Sequence, residues 1–253
     1  MRAIILGSGS KGNSTLLIGK NKKILIDVGF SYPKMLLDLN KFNIKPGDID
    51  AILITHAHKD HVAGLSTFIK KNSISVYTND KMLPDLERII PSEIINIMGD
   101  EYTIGEFTIQ TIHTSHDALG SVGFIINDDS SSLVYITDTG YINKAYLKKL
   151  INKNVYIFES NHDINMLMTG PYPYILKQRV VSDKGHLSNE QSGNYLKEII
   201  GNDTKRIILA HLSEINNTPE IALKTVSNII NSKKITIEAA SQNECFDLGE
   251  IIE

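Results

Sequence analysis

The sequence predicts an α/β sandwich, because short apolar strands recur along the chain and helical patterns separate several of them. Early strands are joined by tight turns, which are typical of antiparallel hairpins. Later, strands and helices alternate, which favours parallel strands, so mixed sheets are expected rather than a purely parallel one. The segments with strand composition are RAIIL, STLLIG, KILID, AILIT, SISVYT, FTIQTIH, VGFIIN, SLVYIT, VYIF, RIILA and KITIEA.

Helical patterns predict the layers that cover these sheets. Two of them have clear starts, since Ser188 is followed by Glu190 and Thr218 is followed by a proline and an acid. No internal repeat, low-complexity tract or change of composition marks a linker, so we predict one domain over residues 1–253. The predicted helices are 31–42, 62–71, 81–90, 143–152, 188–200 and 219–231.

Composition excludes several classes of protein. With 42% hydrophobic and 22% charged residues, the chain of 253 residues can bury a sizeable core. A net charge of -3 gives no global attraction to nucleic acid or anionic lipid, so polyanion binding would need a local basic patch. Cys245 is the single cysteine, which excludes an internal disulfide. No apolar run has the length of a membrane span or a signal peptide core, and we predict a cytoplasmic protein without membrane association.

The N-terminal GSGSKG matches G-x-G-x-x-G, and Asp27 follows about twenty positions later, as in dinucleotide-binding folds. In those folds the third glycine opens a helix. Here Gly12 is followed by STLLI, which has the composition of a strand. The context therefore argues against a nucleotide cofactor.

The strongest chemical signal lies where the predicted strand AILIT ends. The sequence THAHKDH has the pattern H-x-H-x-D-H, so His56, His58, Asp60 and His61 fall within six residues. Histidine is the commonest ligand of zinc-like metals, and a strand-to-helix turn can aim the first two residues at one ion and the last two at another. Because the chain has only eight histidines, three of them beside an aspartate indicate metal binding rather than a solvated turn.

This pattern after an apolar strand is the signature of the metallo-β-lactamase fold superfamily, which the chain resembles from end to end. The resemblance implies a four-layer αββα sandwich of two mixed sheets flanked by helices. It also implies ligands downstream, and HTSHDALG, LVYITDTG and RIILAHLSE supply His116, Asp138 and His211. His113 competes with His116 but lies within a strand pattern, and Asp138 has the alternative role of a helix cap.

The resemblance further implies two divalent ions, Zn²⁺ or Mn²⁺, with iron as another candidate. Asp138 and a hydroxide would bridge them, and Asp27, at the end of ILID, would support the ligands from behind. The ligands implied are His56, His58 and His116 for one ion, and Asp60, His61 and His211 for the other.

A finer resemblance is to the YycJ-like branch (also called WalJ or VicX), which is close to ribonuclease Z. The segments GSGSKGNST, FESNHD, GPYPYILKQRVVSDKGHLSN and AHLSEINN carry it. In this context the glycine-rich loop bends beside the site, where Ser10, Lys11 and Asn13 could face a substrate phosphate. The alternative is a plain hairpin connection.

For this branch, the resemblance implies a phosphodiesterase acting on nucleic acid, specifically a 5′-to-3′ DNA exonuclease linked to repair or replication. A metal-bound hydroxide would attack phosphorus in a centre held by Asp60 and Asp138. The leaving oxygen needs a proton, and His186 is the candidate general acid by resemblance to ribonuclease Z. Glu159 and His162 could orient it; the alternative is that His186 only packs or hydrogen-bonds locally.

Basic and aromatic residues in the same half of the chain predict substrate contacts. Lys177, Arg179 and Lys184 could collect phosphates, and Tyr172 and Tyr174 could stack on bases. Lys177 and Arg179 are two residues apart and would point differently on a helix, so a solvated role is expected for at least one. We predict DNA as the partner and leave a homo-oligomer open.

Other functions stay open. The absence of a cysteine near Asp138 disfavours antibiotic hydrolysis, and the absence of an evident protruding arm disfavours dedicated transfer-RNA maturation. A small-molecule phosphodiester or thioester hydrolase is one alternative. A regulatory protein of a two-component signalling system, with a mainly structural metal site, is the other.

Overall fold

The computed structural model describes residues 1–251. Within these residues two seven-stranded sheets face each other. The first sheet contains β1 (Arg2–Gly7), β2 (Ser14–Ile18), β3 (Lys23–Ile26), β4 (Ala51–Leu53), β5 (Ser75–Thr78), β6 (Ile95–Ile97) and β14 (Phe246–Glu250). The second contains β7 (Glu101–Ile104), β8 (Phe107–His113), β9 (Val122–Asn127), β10 (Ser132–Ile136), β11 (Val155–Glu159), β12 (Arg206–Ala210) and β13 (Thr236–Ala239).

Nine α-helices join these strands within the described residues. They are α1 (Tyr32–Asn40), α2 (Lys59–Val62), α3 (Leu65–Lys71), α4 (Leu83–Leu86), α5 (Lys144–Leu150), α6 (Ile164–Thr169), α7 (Tyr174–Val180), α8 (Asn189–Ile199) and α9 (Pro219–Ile230). The longest of them has 12 residues, and none of the helices in residues 1–251 combines the length and apolar character needed to cross a membrane.

Both sheets are mixed, as the sequence predicts. In the first, β14, β1, β2 and β3 pair antiparallel, whereas β3, β4, β5 and β6 pair in parallel. The second sheet repeats this order, with antiparallel pairing from β7 to β10 and parallel pairing from β10 to β13. Each half of the chain therefore runs from hairpins into crossover connections.

The apolar residues form three packed layers that explain the sandwich. Along β1, Ala3 and Ile5 face the space between the sheets, while Ile4 and Leu6 face outward. This alternation follows from the two-residue period of a strand. The outer face of the first sheet packs on α1 and α3, and that of the second packs on α5, α8 and α9. The predicted αββα architecture is confirmed.

Several predicted elements differ in extent. The helix predicted over 62–71 is observed as α3, and α2 precedes it as a separate short helix. Gly64 lies between them, where a Cβ atom would collide with the carbonyl oxygen of Phe30. The helix predicted over 81–90 shrinks to α4, which starts next to Pro84 because proline is tolerated only in a first turn. Within residues 1–251, the strands β6, β7 and β14 and the helices α6 and α7 were not predicted by the sequence analysis.

The glycine-rich first loop connects β1 to β2, so the segment after Gly12 is a strand, as predicted. A Cβ atom at Gly7 or at Gly12 would lie 2.5 Å from the ring of Phe30. The glycines are needed for this close packing, which brings the loop against the end of β3.

Candidate metal centre

The candidate site lies where strands of both sheets end. Asp27 and His56 follow the parallel neighbours β3 and β4, while Asp138 and His211 follow β10 and β12. Parallel strands place their carboxyl ends at the same edge of a sheet, so these side chains converge. Asp27, Asp138 and His211 have φ angles of 62°, 57° and 56°, in the left-handed region that few non-glycine residues adopt. Strain of this kind concentrates at functional sites.

Backbone hydrogen bonds hold the H-x-H-x-D-H loop in place. Val28 N donates to the carbonyl oxygen of His61 at 2.9 Å, and Asn13 N donates to that of Asp60 at 2.8 Å. The loop is therefore fixed by the end of β3 on one side and by the glycine-rich loop on the other.

The first group of ligands consists of His56, His58 and His116, whose ligand nitrogens lie within 4.8 Å of one another. His58 Nδ1 is 3.2 Å from His116 Nε2. The carbonyl oxygen of Gly185 is 3.2 Å from His116 Nδ1, so Nδ1 carries the proton and Nε2 keeps its lone pair. Burial lowers the pKa of His56 and of His116, and neutral imidazole is the form that binds metal.

The second group consists of Asp60, His61 and His211, with ligand atoms again within 4.8 Å of one another. His61 Nε2 is 3.4 Å from Asp60 Oδ2. Asn13 contacts all three members of this group: its Oδ1 is 3.2 Å from His211 Nδ1, and its Nδ2 is 3.3 Å from Asp60 Oδ2 and 3.0 Å from His61 Nε2. It leaves His211 Nε2 directed at Asp138 Oδ1, 3.2 Å away.

Asp138 lies between the two groups. Its Oδ2 is 3.2 Å from His61 Nε2, and its Oδ1 is 3.2 Å from His211 Nε2 and 3.8 Å from His116 Nε2. Burial raises the pKa of Asp138, but the surrounding imidazoles, His211 and His61 foremost, outweigh burial and lower the pKa well below its ordinary value. A carboxylate that reaches both groups is a suitable bridge between two cations.

These donors fit divalent metal ions. Among the described residues, His56 Nε2 and Asp138 Oδ2 are buried without a hydrogen-bond partner, which costs free energy unless another group satisfies them. A cation among the imidazole nitrogens and carboxylate oxygens would satisfy both atoms. This donor set suits zinc, manganese and iron. The histidine and aspartate clusters are therefore able to bind metal.

His61 is oriented by the carboxylate of Asp27. His61 Nδ1 lies 2.7 Å from Asp27 Oδ2, which also accepts a hydrogen bond from Thr55 Oγ1 at 2.8 Å. The other oxygen of Asp27 accepts from Thr55 N at 2.8 Å. Burial lowers the pKa of His61, but Asp27 and Asp138 outweigh burial and raise that pKa well above its ordinary value. Asp27 thus contacts His61 on the nitrogen that faces away from the other ligands.

His186 is oriented in the same way by Glu159. Glu159 Oε1 lies 2.7 Å from His186 Nδ1, and Glu159 Oε2 accepts from Thr139 N and Leu187 N at 2.9 and 3.2 Å. Burial lowers the pKa of His186, but Glu159 outweighs it and raises the pKa to about 9. No hydrogen bond joins His162 to His186 within residues 1–251, so the orienting role of His162 stays a prediction.

Asp138, Glu159, His186 and His211 form a further group with ligand atoms close together. Both oxygens of Glu159 already accept hydrogen bonds, and His186 Nδ1 is engaged with one of them. This group is therefore explained by hydrogen bonding.

A cavity of about 160 Å³ opens beside the ligand His116 and beside His186. It contains three of the predicted substrate-binding residues, Ser10, Arg179 and Lys184, together with Tyr172. Arg179 comes from α7, and Tyr172 comes from the loop before that helix. The structure thus places a serine, two basic side chains and an aromatic ring around the cavity next to the site.

The other predicted substrate-binding residues have different contacts. Lys11 Nζ pairs with Glu214 at 2.6 Å, and Lys177 Nζ donates to the carbonyl oxygen of Met168 at 2.7 Å. Neither lysine lines the cavity. Asn13 is fully buried and contacts the second ligand group, so the structure gives it a supporting position instead of a substrate-facing one.

Comparison with known proteins agrees with this architecture. The sequence profile of the family described as beta-lactamase superfamily domain matches residues 22–212. The chain therefore belongs to this superfamily and is a hydrolase of the metallo-β-lactamase fold. Exodeoxyribonuclease WalJ of Streptococcus pneumoniae serotype 2 (strain D39) is 40% identical over 231 residues, covering 88% of this chain and 86% of WalJ. Exodeoxyribonuclease YycJ of Bacillus anthracis is 35% identical over 234 residues, covering 90% of this chain and 89% of YycJ. The predicted resemblance to the YycJ-like branch is confirmed.

Solved structures with low sequence identity share the fold. The metallo-β-lactamase fold protein YhfI from Bacillus subtilis has a TM-score of 0.75 at 17% identity, covering 98% of this chain and all of YhfI. The short form of human tRNase Z has a TM-score of 0.69 at 16% identity, with both chains fully covered. These similarities confirm the fold alone.

Sequence reasoning missed two residues that contact the ligands. Thr55 donates to Asp27 and lies 3.1 Å from the Nδ1 atoms of both His56 and His61. Asp117 Oδ1 lies 3.5 Å from the Nε2 atoms of His58 and His116. In the sequence, only their positions next to predicted ligands could have pointed to them. Thr55 directly precedes His56, and Asp117 directly follows His116.

Proposed function

We propose that this protein is a nuclease that uses two divalent ions to hydrolyse DNA, removing nucleotides from a 5′ end. The observation that carries the proposal is the position of His186, which is oriented by Glu159 and lines a cavity together with two basic residues and His116 of the first ligand group. The relatives named exodeoxyribonucleases, at 40% and 35% identity over most of the chain, support DNA as the substrate.

In this proposal, some side chains of the site bind the metal ions and others orient those ligands. When bound, the ions would supply an activated water and stabilise negative charge on the phosphoryl oxygens. Asp138 would contact both ions, Asp27 would orient His61 from behind, and Asn13 would position the second group through its contacts with Asp60, His61 and His211. The proposed ligands are His56, His58 and His116 for the first ion, and Asp60, His61 and His211 for the second.

His186 would donate a proton to the leaving oxygen of the phosphodiester. Its Nδ1 is engaged by Glu159, so Nε2 is the nitrogen free to donate. The negative charge of Glu159 raises the pKa of His186, which favours the protonated ring, and holds the ring in one orientation. This is the arrangement that a general acid needs.

The cavity would hold the end of a strand. Its volume of about 160 Å³ is below the roughly 300 Å³ at which ordinary ligand pockets begin, so part of one nucleotide fits and a base pair does not. Arg179 and Lys184 would contact phosphate oxygens, Ser10 would donate a hydrogen bond, and Tyr172 would stack on a base. This size is compatible with attack at a strand end.

The test compares degradation of duplex DNA labelled at the 5′ end with DNA labelled at the 3′ end. Metal-free protein is assayed alone and with added Mn²⁺ or Zn²⁺. We expect metal-dependent release of labelled mononucleotide from the 5′ end at the first turnover, and slower release from the 3′ end. Inactivity on DNA with rapid hydrolysis of a small chromogenic phosphodiester would instead indicate a small-molecule hydrolase.

A metal-ligand variant separates catalysis from regulation. Asp60→Ala removes a carboxylate that is partly exposed at the site, so the fold should survive. We expect loss of DNA hydrolysis and no rescue of a gene deletion. Full rescue by the folded, inactive variant would show that catalysis is not the purpose of the site.

A further inference from the structure

Asp117 is not a member of either ligand group, yet it touches the first one. Its Oδ1 lies 3.5 Å from His58 Nε2, which faces away from the ligand group, and 3.5 Å from His116 Nε2, which faces into it. His58 presents its other nitrogen, Nδ1, to the ligand group. A carboxylate on the far nitrogen of a ligating histidine fixes the orientation of the ring and raises its basicity.

The second oxygen of Asp117, Oδ2, forms an ion pair with Arg179. Arg179 Nε donates to Asp117 Oδ2 at 2.7 Å, and Arg179 Nη2 lies 2.6 Å from the same oxygen. This use of two nitrogens fixes the plane of the guanidinium. Arg179 remains 61% exposed and lines the cavity, so its remaining N–H groups can reach a ligand there.

Stability alone does not explain this pair. Both side chains are partly exposed, at 61% and 29%, and ion pairs of this kind contribute little to stability. The Arg88–Asp85 pair, with Nη1 3.1 Å from Oδ1, is an exposed arginine–aspartate contact without any histidine beside it. Asp117 differs from Asp85 because it lies between Arg179, a basic residue of the cavity, and the histidines of the first ligand group.

We propose that Asp117 is a positioning residue that holds Arg179 over the cavity for a substrate phosphate and, through its other oxygen, orients His58 for the first metal ion. One carboxylate therefore serves both phosphate recognition and metal binding. The phosphate contact rests on the proposed function, whereas the orientation of His58 does not.

The first part of the proposal, that Asp117 orients His58 (the His58 half), is tested by measuring metal binding. Metal-free wild type and variants are titrated with Zn²⁺ in a calorimeter, and folding is checked by thermal unfolding. We expect Asp117→Asn to weaken binding of one ion about tenfold, and Arg179→Ala to leave both affinities within about twofold. Equal affinities for Asp117→Asn and wild type would overturn this half.

The second part of the proposal, that Asp117 holds Arg179 for a substrate phosphate (the Arg179 half), is tested by enzyme kinetics. At saturating metal, we expect Arg179→Ala and Asp117→Asn each to raise the KM for end-labelled DNA about tenfold, with kcat within about threefold, because a charge-assisted phosphate contact is lost or misplaced. Arg88→Ala, which breaks the other arginine–aspartate pair, is the matched control and should keep the wild-type KM.

The double variant Asp117→Asn/Arg179→Ala decides whether the residues act as a unit. We expect its KM to equal that of Arg179→Ala, because Asp117 acts on phosphate only through Arg179. A KM raised by the product of the single effects would overturn the link, as would an unchanged KM for either single variant. If wild type itself does not degrade DNA, the proposed function fails with the Arg179 half, and the zinc titration still decides the His58 half.

Discussion

In each half of the molecule, a histidine donates from Nδ1 to a buried carboxylate at a strand end. His61 pairs with Asp27 beside the first sheet, and His186 pairs with Glu159 beside the second, both at 2.7 Å. Both carboxylates are fully buried. Each accepts two further hydrogen bonds, Asp27 from Thr55 and Glu159 from backbone N–H groups.

The difference lies in what the other nitrogen faces. The side chain of His61 has no exposed surface, and its Nε2 lies between the carboxylates of Asp60 and Asp138. The side chain of His186 is 21% exposed and lines the cavity. The same pair of groups can thus orient a metal ligand where it is enclosed, or a proton donor where it is open to substrate.

The largest effect is expected for His61→Ala. It removes a ligand and leaves the Asp27 carboxylate buried without its charged partner, which costs about 3–5 kcal/mol of unfolding free energy. We expect one ion to be lost and DNA hydrolysis to fall about 10³-fold or more. Metal analysis, chemical denaturation and the end-label assay measure the three effects.

His113→Ala is the control for that variant. His113 is an exposed residue at the end of β8 and belongs to none of the ligand groups in residues 1–251. It should keep both ions and full activity. Wild-type metal content in His61→Ala would contradict the assignment of His61 as a ligand.

The second largest effect is expected for His186→Ala, which distinguishes the His186–Glu159 pair from the His61–Asp27 pair. We expect His186→Ala to keep both ions but to lower DNA hydrolysis by about 10²–10⁴, because the leaving oxygen no longer receives a proton from the protein. A p-nitrophenyl phosphodiester, whose leaving group needs no proton, should be hydrolysed at nearly the wild-type rate. Equal losses on both substrates would remove His186 from the role of general acid.

A smaller effect is expected for Asp27→Asn. The amide keeps the shape of the carboxylate but not its charge, so His61 is held less firmly and is less basic. We expect metal affinity to fall about 10–100-fold, with activity largely restored by excess metal. Competition with a coloured chelator gives the affinity, and activity that excess metal does not restore would contradict a purely supporting role.

The smallest effect is expected for Glu159→Gln, the matching change in the second pair. The ions should be retained with wild-type affinity, because Glu159 contacts His186 and backbone N–H groups rather than ligands of either ion. We expect kcat to fall about tenfold, since the ring of His186 keeps a weaker hydrogen bond. Loss of metal from this variant would show that Glu159 is part of the ion site.

The sequence predicted the parts of the site that are local or periodic. The loop from His56 to His61 is contiguous, and the strands before it and before Asp138 have clear apolar patterns. The convergence of His116, Asp138 and His211 was expected only from the family resemblance. In physical terms it depends on parallel pairing from β10 to β13, which no short segment encodes.

The parts that escaped prediction depend on long-range packing. The segment with α6 and α7 is interrupted by Gly170 and two prolines, which hides its helical pattern. The contact between Arg179 and Asp117 joins residues 62 positions apart. Asn13 lies in a flexible-looking glycine-rich sequence, yet it is buried because the loop packs on Phe30.

The most direct test is anomalous X-ray scattering from crystals of the manganese- or zinc-loaded protein. The account predicts two peaks per chain, each about 2.0–2.2 Å from its ligand atoms, one beside His56, His58 and His116 and the other beside Asp60, His61 and His211, with Asp138 touching both. A single peak, or peaks away from these side chains, would contradict it.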